Sequence, residues 1–291
     1  MTGTLFVLLR ISRPYYILQA IAPPVAGYLA TSQVEFSVLT TAAVGCVFGL
    51  LAMAAWAGND LFDSELDSRG RLKLFHGLYV AGGTGLLRTR KLAARTVTTY
   101  MLLLISVALG LAAAISLPFL VLAGLCGLVG VFYSVPPVRL KTRGLFGAAL
   151  TATSYGLVAF TAGCVAAGTQ ISIAAITYGV AMSVLVFGYD GIGHIIDYAD
   201  DNENGLNTFA VQLGAPCAIK LLAACQVLPI MVLWILGLTS VLKLNLTGVA
   251  VLFLATAFSA ILLLSGRSGQ RLCALRIVSV PLLSASFFLL L

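Results

Sequence analysis

The sequence predicts an all-α integral membrane protein, a bundle of nine transmembrane helices. Three observations carry that reading. Of 291 residues, 60% are hydrophobic and only 9% charged, with a mean hydropathy of +1.05; a soluble globular chain carries about 25% charged residues. Apolar runs long enough to cross about 30 Å of hydrocarbon recur along the whole chain. The basic residues fall almost entirely on alternate segments between those runs.

The first run, about 14–33, follows Arg10 and Arg13, and no small-residue cleavage site stands out, so it reads as a span and not a removable leader. The second, about 38–58, ends where the acidic residues begin. Runs at about 94–115 and 117–134 are separated by Ser116 and Pro118. Pro136 and Pro137 end the fourth run and force an extended segment, because proline lacks an N–H and restricts its predecessor. Runs at about 145–167 and 171–189 flank Gly168. The last three lie at about 214–238, 244–265 and 273–291. No soluble insertion, low-complexity tract or short repeat interrupts them, so residues 1–291 read as a single transmembrane domain.

With the N-terminus inside, the inner segments are 1–13, 59–93, 135–144, 190–213 and 266–272. These segments and the adjoining helix ends hold every one of the 17 basic residues except Lys243. The distribution predicts a cell inner membrane with the N-terminus in the cytoplasm. The net charge of +7 is therefore spread over short loops, which argues for topology and against nucleic acid. Six cysteines are scattered without a CxxC pair and read as free core thiols.

Nine of the ten acidic residues form two clusters, Asp60, Asp63, Glu65 and Asp67 after the second span, and Asp190, Asp197, Asp200, Asp201 and Glu203 after the sixth. Both fall on the same predicted face. If the second helix continues, Asn59, Asp63 and Asp67 recur every fourth residue and Asp60 precedes Asp63 by three, which puts these oxygens on one helical face. Asp197 and Asp201 are again four apart. Crowded carboxylates repel, and a divalent cation relieves that repulsion. All-oxygen donor sets suit Mg²⁺, Mn²⁺ or Ca²⁺. A solvated acidic helix end explains one such cluster but fits two poorly. Glu65 and Glu203 read as solvent-facing; Asp190 and Asp200 are left between the two readings. His194, one turn before Asp197, is placed to orient a carboxylate, and His76 reads as an ordinary loop histidine.

The stretch Asn59-Asp60-x-x-Asp63-x-x-x-Asp67 resembles the first aspartate-rich motif of the UbiA superfamily of intramembrane prenyltransferases. Asp197-x-x-x-Asp201, followed by Gly205, Thr208, Val211, Leu213 and Gly214, resembles the second. Tyr133, Ser134, Pro136 and Pro137 resemble the family's Tyr-Ser-x-Pro-Pro segment, and Arg13-Pro14 its opening Arg-Pro. The resemblance runs the length of the chain. It implies a nine-helix bundle around a central cavity that opens to the cytoplasmic face. It also implies two Mg²⁺ ions bridging a prenyl diphosphate, with Asn59, Asp60, Asp63, Asp67, Asp197 and Asp201 as metal ligands. Lys141 is then placed to neutralise the leaving group, alongside Asp63 and Asp197 as catalytic positions. Arg139, Arg143, Arg71, Lys73 and Tyr133 are expected around the diphosphate, although inner-face cations also serve topology alone.

Ala81, Gly82, Gly83, Thr84 and Gly85 are similar to the glycine-rich loop of the naphthoate prenyltransferase branch. That branch often carries a Glu after the Tyr-Ser-x-Pro-Pro segment and the family an Asn before the second motif; here Phe146 and Gly147, and Ile195 and Ile196, occupy those regions. The function expected is Mg²⁺-dependent transfer of a prenyl group to an aromatic or quinone-precursor acceptor. A terpene cyclase of the same superfamily, which shares the ionisation, and an ion-coupled transporter are the alternatives.

Overall fold

The computed structural model describes residues 2–31, 37–67, 73–81, 83–87, 92–238, 244–265 and 269–289. Helix α1 (Thr2–Ile11) and helix α2 (Ile17–Thr31) meet at a 45° bend. Pro14 starts the bend, because its ring fixes φ and removes an N–H. Helix α3 (Val38–Asp67) has 30 residues, about 45 Å of helix at ~1.5 Å per residue. That exceeds the thickness of the hydrocarbon, so the surplus carries Asn59–Asp67 beyond the apolar run. A short antiparallel hairpin follows, β1 (Lys73–Phe75) with β2 (Leu78–Ala81). The sequence reads this stretch only as part of an inner loop. His76 sits exposed at the hairpin's turn against the Phe75 ring, as an ordinary loop histidine would.

Helices α4 (Ala94–Ile115) and α5 (Leu117–Phe132) are joined at Ser116, whose hydroxyl caps α5 by accepting from the Phe119 N–H. Helix α6 (Gly144–Thr153), a π-turn over Ser154–Val158 and helix α7 (Ala159–Ala166) form one rod. The Ser183 hydroxyl accepts from the Leu157 N–H and stabilises the π-turn. Helix α8 (Ile173–Asp190) leads into α9 (Ile192–Glu203), α10 (Phe209–Leu213), and the closing α11 (Ala215–Leu238), α12 (Leu246–Ser265) and α13 (Gly269–Leu289).

Seven described helical rods are long and apolar enough to cross a membrane, and the bent α1–α2 pair brings the number to eight. The predicted fourth span, α5, has 16 residues, about 24 Å of helix. It falls short because Ser116 with Pro118 starts it and the Pro136–Pro137 segment follows its end. The number nine thus rests on counting α5 as a crossing; length and hydropathy establish seven or eight. Leu39, Ile173 and Leu254 are among many large apolar side chains left exposed, as a surface solvated by lipid requires. All six cysteines are free, although Cys46 and Cys217 are exposed and not in the core.

The buried apolar side chains form four clusters among the described residues, two of them large. One gathers Met182, Leu185, Leu222, Ile230 and Phe287 from α8, α11 and α13. The other gathers Val47, Phe48, Phe119 and Ala159 from α3, α5 and α7. Helices α2 and α7 touch through glycines: a Cβ at Gly27 would meet the Phe160 carbonyl oxygen at 2.0 Å, and one at Gly163 would meet that of Pro24 at 1.9 Å. Small residues permit this approach where lipid offers no hydrophobic drive for helix association.

The membrane orientation is testable apart from activity. In a chain whose native cysteines are replaced by serine, single cysteines at Thr142 and Asn202 are expected to react with impermeant thiol reagents from one side. One at Gln170 should react from the other. Labelling of Thr142 and Asn202 from opposite sides would break the reading of a shared mouth.

Candidate active site

Both acidic clusters reach one cavity of about 200 Å³. Its wall includes Asn59 and Asp63 from α3, Lys73 from β1, and Tyr133 and Lys141 from the segment after α5. Asp190 and Asp197 come from α8 and α9, and Arg276 from α13.

In the first cluster, Asn59 and Asp63 face inward. Ser134 Oγ lies 2.9 Å from Asn59 Oδ1 and 3.2 Å from Asp63 Oδ2. Lys141 Nζ is 2.5 Å from Asp63 Oδ2, and Arg139 Nη2 donates to Asp63 Oδ1 at 2.9 Å. Asp60 departs from the expected ligand set. It is 3% exposed, and one step along the helix turns it about 100° from Asn59. Its carboxylate accepts from Arg13 Nη2 at 3.1 Å, from the Thr84 N–H at 3.1 Å and from the Thr84 hydroxyl. With those partners Asp60 braces α3 against the bend before α2 and the loop after β2, and does not line the cavity. Asp67 closes α3, and its side chain lies outside the described residues, as does Arg71.

In the second cluster, Lys73 Nζ sits 2.5 Å from Asp197 Oδ1 and 2.8 Å from Asp200 Oδ2. Burial works against the ammonium, but the two carboxylates outweigh it and raise the Lys73 pKa. Asp201 is held up at about 6, first by burial and then by the neighbouring Asp197 charge. Each cluster therefore has its own lysine, Lys141 on the first and Lys73 on the second, and the second still bears carboxylate repulsion.

Arg143 leaves the expected set. It is exposed, and its guanidinium donates to the carbonyls of Val138 and Pro137 in its own loop. Arg139 reaches Asp63 from a left-handed backbone (φ 42°), and Arg13 reaches Asp60 from another (φ 46°). Non-glycine residues rarely sit there, at a cost of about 1–2 kcal/mol. The ion pairs with the first cluster offset that cost. Tyr133 OH lies 3.2 Å from His194 Nε2; among the described residues this tyrosine, and not the carboxylate expected for it, is the hydrogen-bond partner of His194. Burial lowers the His194 pKa against the pull of Asp190 and Asp197, and burial with the surrounding carboxylates raises that of Tyr133.

Among the described residues, no three His, Cys, Asp or Glu side chains converge into a self-contained metal site. The donors present fit Mg²⁺ in another way. Mg²⁺ keeps several waters and is commonly held by one or two carboxylates together with substrate phosphates. Asn59 with Asp63, and Asp197 with Asp201, supply such partial oxygen sets on one cavity. The raised Asp201 pKa marks a place where added positive charge is favoured.

The UbiA prenyltransferase family model matches residues 20–280. The chain belongs to the UbiA prenyltransferase family. A UbiA homolog from Archaeoglobus fulgidus bound to GPP and Mg²⁺ superposes with a TM-score of 0.75 at 21% identity, over 97% of this chain and 98% of that one. The same homolog bound to DMAPP and Mg²⁺ gives 0.76 at 20%, with the same coverage. An apo UbiA homolog from Aeropyrum pernix K1 gives 0.73 at 19%, over 94% of this chain and 96% of that one. The curated proteins contain no match to this chain.

This UbiA-family cavity also holds residues that sequence reasoning passed over. The positive-inside pattern reads Arg276 only as an inner-face cation, yet it is 8% exposed and lines the cavity. A charge within an apolar span was the available signal, because such groups face a bundle interior and pair. Asp190, left undecided, is its partner at 2.6 Å. Gln19 also lines the cavity, and a lone glutamine in an apolar run carries little warning.

Proposed function

We propose that this UbiA-family protein transfers a prenyl group from a prenyl diphosphate to an aromatic or quinone-precursor acceptor within the membrane. The observation that carries the reading is the meeting of two acidic motifs, each with its own lysine, on one cavity. The A. fulgidus homolog of the same fold binds GPP or DMAPP together with Mg²⁺, which supports a prenyl diphosphate as donor. The distribution of basic residues supports a cell inner membrane with the mouth on the cytoplasmic face.

Two Mg²⁺ ions would be held by Asn59 and Asp63 on one side and by Asp197 and Asp201 on the other. When bound, they supply charge withdrawal from the diphosphate. The chain's own part is to place cations where charge develops as the C1–O bond breaks. Lys141 and Lys73, which line the cavity beside the two motifs, would take that role, with Arg139 holding Asp63. Preorganised donors of this kind act most strongly in a site from which water is excluded. The apolar cores and the rings of Tyr16, Trp56 and Tyr155 on the cavity wall limit water near an allylic cation and offer π-faces to it.

The test is mass spectrometry of products from membranes given a panel of prenyl diphosphates, with and without aromatic acceptors. An adduct carrying both parts is the expected result; cyclised hydrocarbon alone would assign the chain to the cyclase reading. Treatment with EDTA should abolish turnover and Mg²⁺ should restore it. Ca²⁺ should restore it poorly, since its longer, looser coordination grips a diphosphate less tightly. Turnover that persists in EDTA would remove the metal from the mechanism.

A further inference from the structure

Lys73 reaches the second acidic motif through an irregularity in its hairpin. Lys73 stands opposite Ala81 and the next residue, Leu74, opposite Tyr79, so Val80 is an extra residue on β2. Bulges of this kind re-aim side chains and recur beside active sites. β2 lies against α9, and Val80 and Ala81 line the cavity together with Lys73. There the Lys73 ammonium is shared between two carboxylates, 2.5 Å from Asp197 Oδ1 and 2.8 Å from Asp200 Oδ2.

Asp197 and Asp200 are three residues apart on α9, a spacing that puts both on one helical face. Of these two, only Asp197 belongs to the proposed Mg²⁺ set, so Asp200 adds a further carboxylate to a crowded turn without holding metal. Like charges there repel, and the addition needs a purpose of its own. A carboxylate that ligates Mg²⁺ at about 2.0–2.1 Å brings two positive charges beside any ammonium on the same group. Metal loading therefore weakens the hold of Asp197 on Lys73. Asp200 keeps its hold, and its side chain is 33% exposed on the cavity wall.

Resting on the prenyl-transfer reading above, we propose that Asp200 is a positioning residue that keeps the Lys73 ammonium beside the diphosphate once Mg²⁺ engages Asp197. In the empty cavity Lys73 is the counter-ion of both carboxylates. When metal and prenyl diphosphate enter, Asp200 retains one side of the ammonium. A lysine ammonium has three N–H donors that rotate freely about its stem, so one contact to Asp200 leaves the others for phosphate oxygens. Asp200 thus acts through Lys73 and touches neither metal nor substrate.

The experiment uses the purified full chain with Mg²⁺ and GPP. It compares Asp200→Asn, Asp200→Glu, Lys73→Met and the double variant carrying Lys73→Met and Asp200→Asn. Affinity for GPP is read from the shift in thermal unfolding, and kcat from diphosphate release at saturating GPP. Asp200→Asn and Lys73→Met should each weaken GPP binding about 10-fold, the scale of one charge-assisted hydrogen bond, and each should lower kcat by a similar factor. The double variant should do no worse than Lys73→Met, because without the ammonium Asp200 has nothing to place. Asp200→Glu, which keeps the charge, should recover most of both losses. A further loss in the double variant would make Asp200 a ligand in its own right and overturn the proposal. Weaker GPP binding with unchanged kcat in a folded Asp200→Asn also overturns it, since that pattern belongs to a contact that only staples the hairpin to α9. So does wild-type behaviour in that variant. Should Asp200→Asn fail to fold alone, Lys73→Met is compared with the double variant. Equal losses are then expected, and either a further loss in the double or wild-type behaviour in Lys73→Met overturns the assignment. If GPP with Mg²⁺ does not stabilise wild type at all, the prenyl-transfer reading itself has failed.

Discussion

Purified Asp197→Ala is expected to release diphosphate at least about 10²-fold more slowly than wild type at ordinary Mg²⁺, the scale of one lost electrostatic contact in a dry site. Asp197 faces the cavity and pairs with Lys73. Its loss removes a carboxylate from the proposed metal set and leaves Lys73 with Asp200 alone of its two carboxylate partners. With its side chain 22% exposed, the position tolerates alanine without a large folding penalty. Asp63→Ala should be at least as inactive, but it is the harsher change. Asp63 is buried at 3% exposure and neutralises both Lys141 and Arg139. Stripping a buried ion pair of one partner costs about 3–5 kcal/mol, so Asp63→Asn, which keeps the shape and a hydrogen-bond acceptor, separates catalysis from folding. Thermal unfolding in the same detergent serves as the control. Wild-type turnover in folded Asp197→Ala would sink the two-motif mechanism.

Lys141→Met should lower kcat by roughly 10²-fold while membrane insertion is unchanged. A contact that strengthens as the leaving group gains charge acts on kcat more than on KM. Lys141 lies 2.5 Å from Asp63, so the ammonium is already at the first motif before any diphosphate arrives. Arg139 and Arg143 keep the loop's positive charge, so topology should not respond. Lys141→Arg preserves charge but replaces a compact ammonium by a planar fork, and an intermediate rate is expected. Wild-type rates in both variants would shift the leaving-group role to Lys73 or Arg139.

The acidic motifs were legible because carboxylates are so costly in an apolar chain that two dense groups stand out. Helical spacing placed Asn59 and Asp63 together correctly. It failed for Asp60, because spacing along one helix defines a relative angle and cannot say that Arg13 and the Thr84 N–H wait on that side. Arg143 and Lys141 are two residues apart with similar charge, and only the fold of the loop sends one to Asp63 and the other to its own carbonyls. The resemblance puts Lys73 among several cations around the diphosphate, and only the hairpin sets it against Asp197 and Asp200.

By itself the sequence determined the all-helical membrane class, the apolar runs, the positions of both acidic motifs and the family resemblance. Those are local properties, set by the cost of charge in lipid and by residue order along one chain. Only the tertiary structure decided which charges meet. Asp190 and Arg276 are 86 positions apart and Lys73 and Asp197 are 124 apart. Pairing over such separations follows from how the helices pack, which no spacing within a single helix encodes.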